Sequence, residues 1–106
     1  MEEKINASPK YTPTVFIKGA RFDLGQLFST PGALEALEPN EMHAFLRRHV
    51  KGDWGDCCPL DRNANDDALE HGGRLFSVYH TARGEKIWLI TEADRTVSTF
   101  LLPSEY

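Results

Sequence analysis

The chain has 106 residues, 41% of them hydrophobic and 26% charged, with a formal net charge of −4. This length and balance fit one domain around a single modest core and exclude a disordered or fibrous chain. The acidic total excludes a general nucleic-acid binder, which needs a basic stripe to release counterions, and no run approaches the ~18 apolar residues of a membrane span.

Residues 1–13 carry Glu2, Glu3, Lys4, Pro9 and Pro13 with little apolar periodicity, and are expected to form a flexible N-terminal arm. The opening Met1-Glu2-Glu3-Lys4 lacks the apolar stretch of a secretory signal. The two cysteines, Cys57 and Cys58, are adjacent and so are poor disulfide partners. A cytoplasmic location is expected. Residues 14–18 read as a short strand closed by Gly19, and residues 21–29 as a second extended run in which Phe22, Leu24, Gln26 and Phe28 alternate with Asp23, Gly25 and Leu27.

Thr30-Pro31 starts a helix, because threonine accepts from an orphan backbone N–H and proline at the first helical position loses no hydrogen bond. It stops near Pro39. Asn40 is expected to cap a second helix, where Met42, Phe45, Leu46 and His49 or Val50 form one apolar stripe. Arg47, Arg48 and Lys51 suit the negative end of its dipole, and Gly52 ends it. A turn around Trp54 follows. Pro59 then opens a third helix with sparse apolar positions at Leu60, Ala64, Ala68 and Leu69, ended by Gly72-Gly73.

Residues 73–103 hold three β-rich runs separated by the turn signals Ala82-Arg83-Gly84-Glu85 and Glu92-Ala93-Asp94-Arg95, the pattern of an antiparallel meander. The middle run is apolar on both phases, as in a central strand with one face packed on helices and the other partly covered. The predicted fold is therefore α+β: an N-terminal strand, three helices and a three-stranded antiparallel β-meander, spanning residues 14–106. Phe45, Leu46, Phe76, Val78, Ile87, Leu89, Val97 and Leu101 are the expected core.

Seven blocks occur in one order: Leu24-Gly25-Gln26, Thr30-Pro31-Gly32-Ala33-Leu34, Arg48-His49-Val50-Lys51-Gly52-Asp53-Trp54-Gly55, Asn65-Asp66, Gly73-Arg74-Leu75, Lys86-Ile87-Trp88 and Ile90-Thr91-Glu92-Ala93-Asp94-Arg95. Across residues 22–106 they resemble a family of small bacterial proteins carried by plasmids and other mobile elements, some bearing labels that link them to type I restriction loci. The resemblance implies a mobile-element passenger and no particular activity. It does not imply a methyltransferase, since the chain is too short for that fold and has no glycine-rich cofactor loop.

Three sharper chemistries compete with plain packing. His43, His49, Asp53, Asp56, Cys57 and Cys58 are the densest set of metal-ligand types, but their spacing fits no zinc ribbon or finger. No metal and no cofactor is expected, with Asp56 or Cys58 capping the third helix and His49 at the boundary of the second. Cys58-Pro59 sits where a helix N-terminus lowers a thiol pKa, yet no third residue is identifiable to orient a base. Metal-free RNA cleavage needs a base, an acid and a cation on phosphate; the candidates are His80, Tyr79, Arg74, Arg83 and Lys86, with Thr91 and Arg95 beside them. Glu35, Glu38, Glu41, Asp66, Asp67 and Glu70 read as solvated helix faces.

The leading expectation is a non-catalytic module that binds a bacterial protein partner, of the anti-restriction or anti-CRISPR type, with Trp54, Asp53, Arg47 and Arg48 as binding residues. The alternative is a ribonuclease-like toxin acting from the open face of the sheet.

Overall fold

The computed structural model describes residues 17–106. The arm at 1–13 and most of the run at 14–18 lie outside them. The elements are β1 (Gln26–Ser29), α1 (Pro31–Ala36), α2 (Pro39–Val50), α3 (Pro59–His71), β2 (Leu75–His80), β3 (Lys86–Thr91), β4 (Val97–Leu101) and a 3₁₀ turn at Pro103–Glu105. Among the described residues the architecture is α+β, three helices on a four-stranded mixed sheet.

Strand order is β1-β4-β3-β2, with β2, β3 and β4 antiparallel in succession and β1 parallel to β4. The antiparallel meander is there as β2-β3-β4, but the sheet is not purely antiparallel as expected: β1 adds a fourth strand parallel to β4 and makes it mixed. The first strand is also much shorter than residues 21–29 suggest. Asp23 to Gly25 carry no regular pairing, and Gly25 has φ +68°, so extended pairing starts only at Gln26.

A proline is the first residue of each helix, where a missing N–H costs nothing. Thr30 accepts from the Ala33 N–H at 3.3 Å, as expected of a cap. At α2 the cap differs from expectation: Glu38, not Asn40, precedes the helix, and its N–H donates to the Glu41 carboxylate at 3.1 Å. The other Glu41 oxygen accepts from the Ala82 N–H at 2.7 Å, which ties α2 to the β2–β3 turn and, with the Glu38 bond, holds that carboxyl below its ordinary pKa. In α3 half of the expected stripe holds, at Ala68 and Leu69. Leu60 is 77% exposed and Ala64 is exposed, whereas Asn65 and Ala68 are the buried positions.

The register sorts the sheet into two faces. Tyr79, Ile87, Leu89 and Phe100 lie on the inner one, where Phe45, Leu46 and Val50 of α2, Ala33 of α1 and Leu37 complete the main core. Of the expected core, Phe45, Leu46, Ile87 and Leu89 are buried on the inner side and Val78 and Leu101 on the outer face, whereas Phe76 and Val97, also on the outer face, are only half-buried. Along the free edge of β2, α3 supplies Asn65, whose side chain accepts from the Phe76 N–H at 2.9 Å and donates to the Phe76 carbonyl at 2.7 Å. The segment at 54–56 pairs the next edge residue: the Val78 N–H donates to Trp54 at 3.0 Å and its carbonyl accepts from Asp56 at 2.7 Å. An edge that would otherwise template aggregation is thereby closed.

His49 sits at the centre of the inner face with 0% exposure. Its Nδ1 is 2.6 Å from the Ser77 hydroxyl and its Nε2 2.9 Å from that of Thr91; Thr91 is 2.7 Å from Ser98, which donates to the Leu24 carbonyl at 2.7 Å. Counting protons fixes the direction of the chain. Ser98 spends its proton on Leu24, so Thr91 donates to Ser98, His49 Nε2–H donates to Thr91, and Ser77 donates to Nδ1. The imidazole is neutral and fully satisfied. Phe22 and Trp54 stand edge-on to it at 5.2 and 5.7 Å between ring centroids. Burial, with the positive charge of Arg95, pushes its pKa down to about 3.

Two outcomes follow for stability. In His49→Leu the Ser77 donor and a Thr91 acceptor lose their partner, and the expected cost is about 2–5 kcal/mol. For pH, the unfolded imidazole takes up a proton below its ordinary 6.5, while the folded one stays neutral down to about 3. Stability is therefore lost as pH falls from 6.5, by up to about 1.4 kcal/mol per unit for this one site. The depressed carboxyls of Glu41, Asp53, Asp94 and Glu105 contribute only at lower pH. Denaturant titrations between pH 7 and 5 should show a slope for the wild type that is reduced in His49→Leu; equal slopes would contradict the buried neutral ring.

Candidate functional site

Register places Phe28, Phe76, Val78, His80, Lys86, Trp88, Ile90, Val97, Thr99 and Leu101 on the outer face. Phe28 is 42% exposed, and Phe76, Trp88 and Val97 are half-buried. Both phases of β3 are apolar because each face has its own packing: helices inside, aromatic side chains outside. At the β2–β3 end of this face lies a pocket of about 320 Å³ lined by Asp61, Arg74, Phe76, Trp88, Ile90 and Tyr106. Phe76 and Trp88 meet edge to face at 5.0 Å and 79°, and Trp88 and Tyr106 at 5.6 Å and 71°. The rings thus stand as walls rather than as a stack. Arg74 donates to the Tyr106 hydroxyl at 3.1 Å and pairs with Glu92 at 3.4 Å. Both contacts favour its charged form.

The residues expected for RNA cleavage do not converge. His80 bonds Asp56 at 2.8 Å and faces Lys86 in the register, so these three share one corner of the outer face. Tyr79 points the opposite way. It is buried, it donates to the Asp53 carbonyl at 2.6 Å, and burial raises its pKa far above the ordinary phenol value. Arg74 precedes the other end of β2, and Arg83 reaches back to the Ala36 carbonyl at 3.4 Å. Thr91 belongs to the buried chain on His49. Arg95 is a brace: its guanidinium donates to the carbonyls of Gly73, Glu92, Ala93 and Ala68 at 2.6–3.2 Å. The Asp56–His80 pair can accept a proton, but among the described residues no hydroxyl or thiol is hydrogen-bonded to the ring.

The metal-ligand set is likewise dispersed. Among the described residues no three His, Cys, Asp or Glu side chains converge to hold an ion. His49 is consumed by its two hydroxyl partners, Asp53 by Arg48, and Asp56 by His80 rather than by capping α3. Cys57 is buried and its thiol donates to the Phe76 carbonyl at 3.1 Å; burial, reinforced by Asp61, pushes its pKa up to about 11, away from a nucleophilic thiolate. Cys58 is exposed and occupies the N-cap position of α3 without a side-chain cap bond.

Comparison with family models, with curated proteins and with solved structures returns no match. No helix of the described residues is long and apolar enough to cross a membrane.

Of the expected binding residues, Asp53 and Arg48 are brought together and Trp54 is withdrawn from the surface. Arg48 donates to the Asp53 carboxylate at 2.7 and 3.2 Å, and its guanidinium lies 4.6 Å from the Tyr79 ring centroid. Asp53 also accepts from the Gly55 N–H at 3.1 Å. Gly55 has φ +73°, and a Cβ there would lie 2.0 Å from the Val78 carbonyl oxygen, so only glycine fits this approach to β2. Trp54 is 3% exposed and its indole N–H donates to Asp66 at 3.0 Å. Arg47 is exposed on α2, apart from the others. The turn is therefore a structural joint, and the pocket residues Asp61 and Tyr106 are the ones sequence reasoning missed. For Trp88 the signal was present, in the unbroken apolar run of β3. Trp54→Ala should destabilise by about 3–5 kcal/mol, read by urea denaturation, and a change within half a kilocalorie, on that same scale, would mean that the ring does not plug the core.

Proposed function

We propose that this domain is a non-catalytic protein-binding module and that it binds through the outer face of its sheet. The observation that carries the reading is the aromatic surface of that face, exposed at Phe28 and Tyr106 and half-buried at Phe76 and Trp88, where the last three line a pocket beside α3. Exposed apolar patches rimmed by polar groups are where partners dock, and aromatic residues dominate the energy of such contacts. The acidic balance of −4 suits a partner with a basic surface. A nuclease is such a partner, because it must attract phosphate. Together with the resemblance to mobile-element proteins, this favours an inhibitor of a host defence nuclease, of the anti-restriction or anti-CRISPR type, working in the bacterial cytoplasm.

One observation favours a second reading. His80 is oriented by Asp56 and faces Lys86 in the register of the same face, which supplies a candidate base and a candidate cation for metal-free RNA cleavage.

Affinity capture from bacterial lysate, compared across variants, separates the two. A specific partner should be retained by the wild type and by Arg47→Glu on the helical side, and be lost or weakened at least ~10-fold by Phe28→Asp and Trp88→Ser. Circular dichroism on each variant confirms folding. Retention unchanged in both outer-face variants would overturn the binding reading. Cleavage of RNA by the purified protein, abolished in His80→Ala, would establish the second.

A further inference from the structure

We infer that the pocket formed by Asp61, Arg74, Phe76, Trp88, Ile90 and Tyr106 seats an arginine side chain presented by the partner protein; this rests on the protein-binding reading above. Three rings at 71° and 79° to their neighbours make an aromatic box, and an aromatic face attracts a cation within about 6 Å of its centroid. The volume of about 320 Å³ accommodates one extended side chain and is at the small end of ligand sites.

The charges at the rim decide the sign of the occupant. Arg74 is already neutralised by Glu92 at 3.4 Å and held by the Tyr106 hydroxyl at 3.1 Å. Asp61 makes no hydrogen bond or ion pair among the described residues, so its carboxylate is the uncompensated charge of the pocket. Its place in the first turn of α3 suits the helix dipole. The dipole does not account for a carboxylate set against an aromatic box. The rest of α3 extends the acidic field, with Asp66, Asp67 and Glu70 against Arg62.

Arginine fits better than lysine. Its planar, weakly hydrated guanidinium leaves water at lower cost, lies flat on a ring and can bridge both oxygens of one carboxylate. The molecule already shows this chemistry internally: the Arg74 guanidinium lies 5.8 Å from the Tyr106 ring centroid.

The test is an NMR titration of the full chain, labelled with nitrogen-15, using Nα-acetyl-arginine methylamide as the probe. The Trp88 indole signal reports on the pocket, and the Trp54 indole, bonded to Asp66, is the internal control. Binding is expected in the millimolar range, since one side chain carries little of an interface. Asp61→Asn should weaken it by roughly fivefold or more, and the neutral citrulline counterpart should bind more weakly than arginine by a similar factor. The inference is overturned if arginine leaves the Trp88 signal unmoved, if citrulline binds equally well, if acetyl-glutamate methylamide binds more tightly, or if Asp61→Asn changes nothing. The two readings fail separately. Capture that needs Trp88 but tolerates Asp61→Asn leaves the protein-binding module standing and removes the arginine. Capture that tolerates Phe28→Asp and Trp88→Ser removes the module, whatever the titration shows.

Discussion

A neutral imidazole, hydrogen-bonded at both nitrogens and shut away from water, is the constraint on which the other elements depend. Through His49 the second helix is fixed to Ser77 of β2 and Thr91 of β3, and through Thr91 and Ser98 to β4 and the Leu24 carbonyl. Five stretches of chain are registered by one linear run of protons. Apolar packing tolerates small slides of a helix over a sheet. A relay of hydroxyls does not, because a shift of one residue would leave every donor facing the wrong partner. The energetic return of such a network is modest; its contribution is to select one arrangement among several of similar burial.

With the inner face so committed, the outer face is free to differ. The sheet has one face under α1 and α2 and another bearing aromatic side chains, and its β2 edge is closed by Asn65 and the segment at 54–56. That closure matters for function. Backbone pairing with another chain is blocked at the β2 edge, and on the proposed reading recognition falls on side chains of the outer face. The turn at 52–55 belongs to the same closure: Asp53, Trp54 and Gly55 are held from α2, α3 and β2 respectively.

Local chemistry made the helix starts, the Gly52 and Gly72 ends and the three C-terminal strands legible in the sequence, because proline, glycine and alternating apolar residues act over a few positions. Gly52, at φ +84°, and Gly72, at φ +93°, end their helices as read. What depended on distant partners was not legible. The parallel pairing of β1 with β4, the role of Asn65 as a surrogate strand, and the burial of His49 between Ser77 and Thr91 are all set by residues far away in the chain. A histidine near a helix end reads as a boundary residue unless its hydroxyl partners are known. Trp54, with glycines at positions 52 and 55, reads from the sequence as a core plug sooner than an interface anchor, and its 3% exposure together with the Asp66 contact shows the plug. Tyr106 lies beyond the last strand, where an aromatic carries no periodic signal.

The pairing of β1 with β4 also bears on how the fold is reached. Gln26 aligns with Val97 and Ser29 with Phe100, and Glu105 accepts hydrogen bonds from Thr30 and from the Gly32 N–H. These contacts close a loop of about 70 residues that contains all three helices and two strands, and loop-closure entropy must be met before they stabilise anything. On a ribosome, β1 and the N-terminus of α1 are made well before β4 and Glu105, their partners in these contacts. Among the described residues β4 is the strand that pairs with β1, so that pairing waits until β4 has emerged.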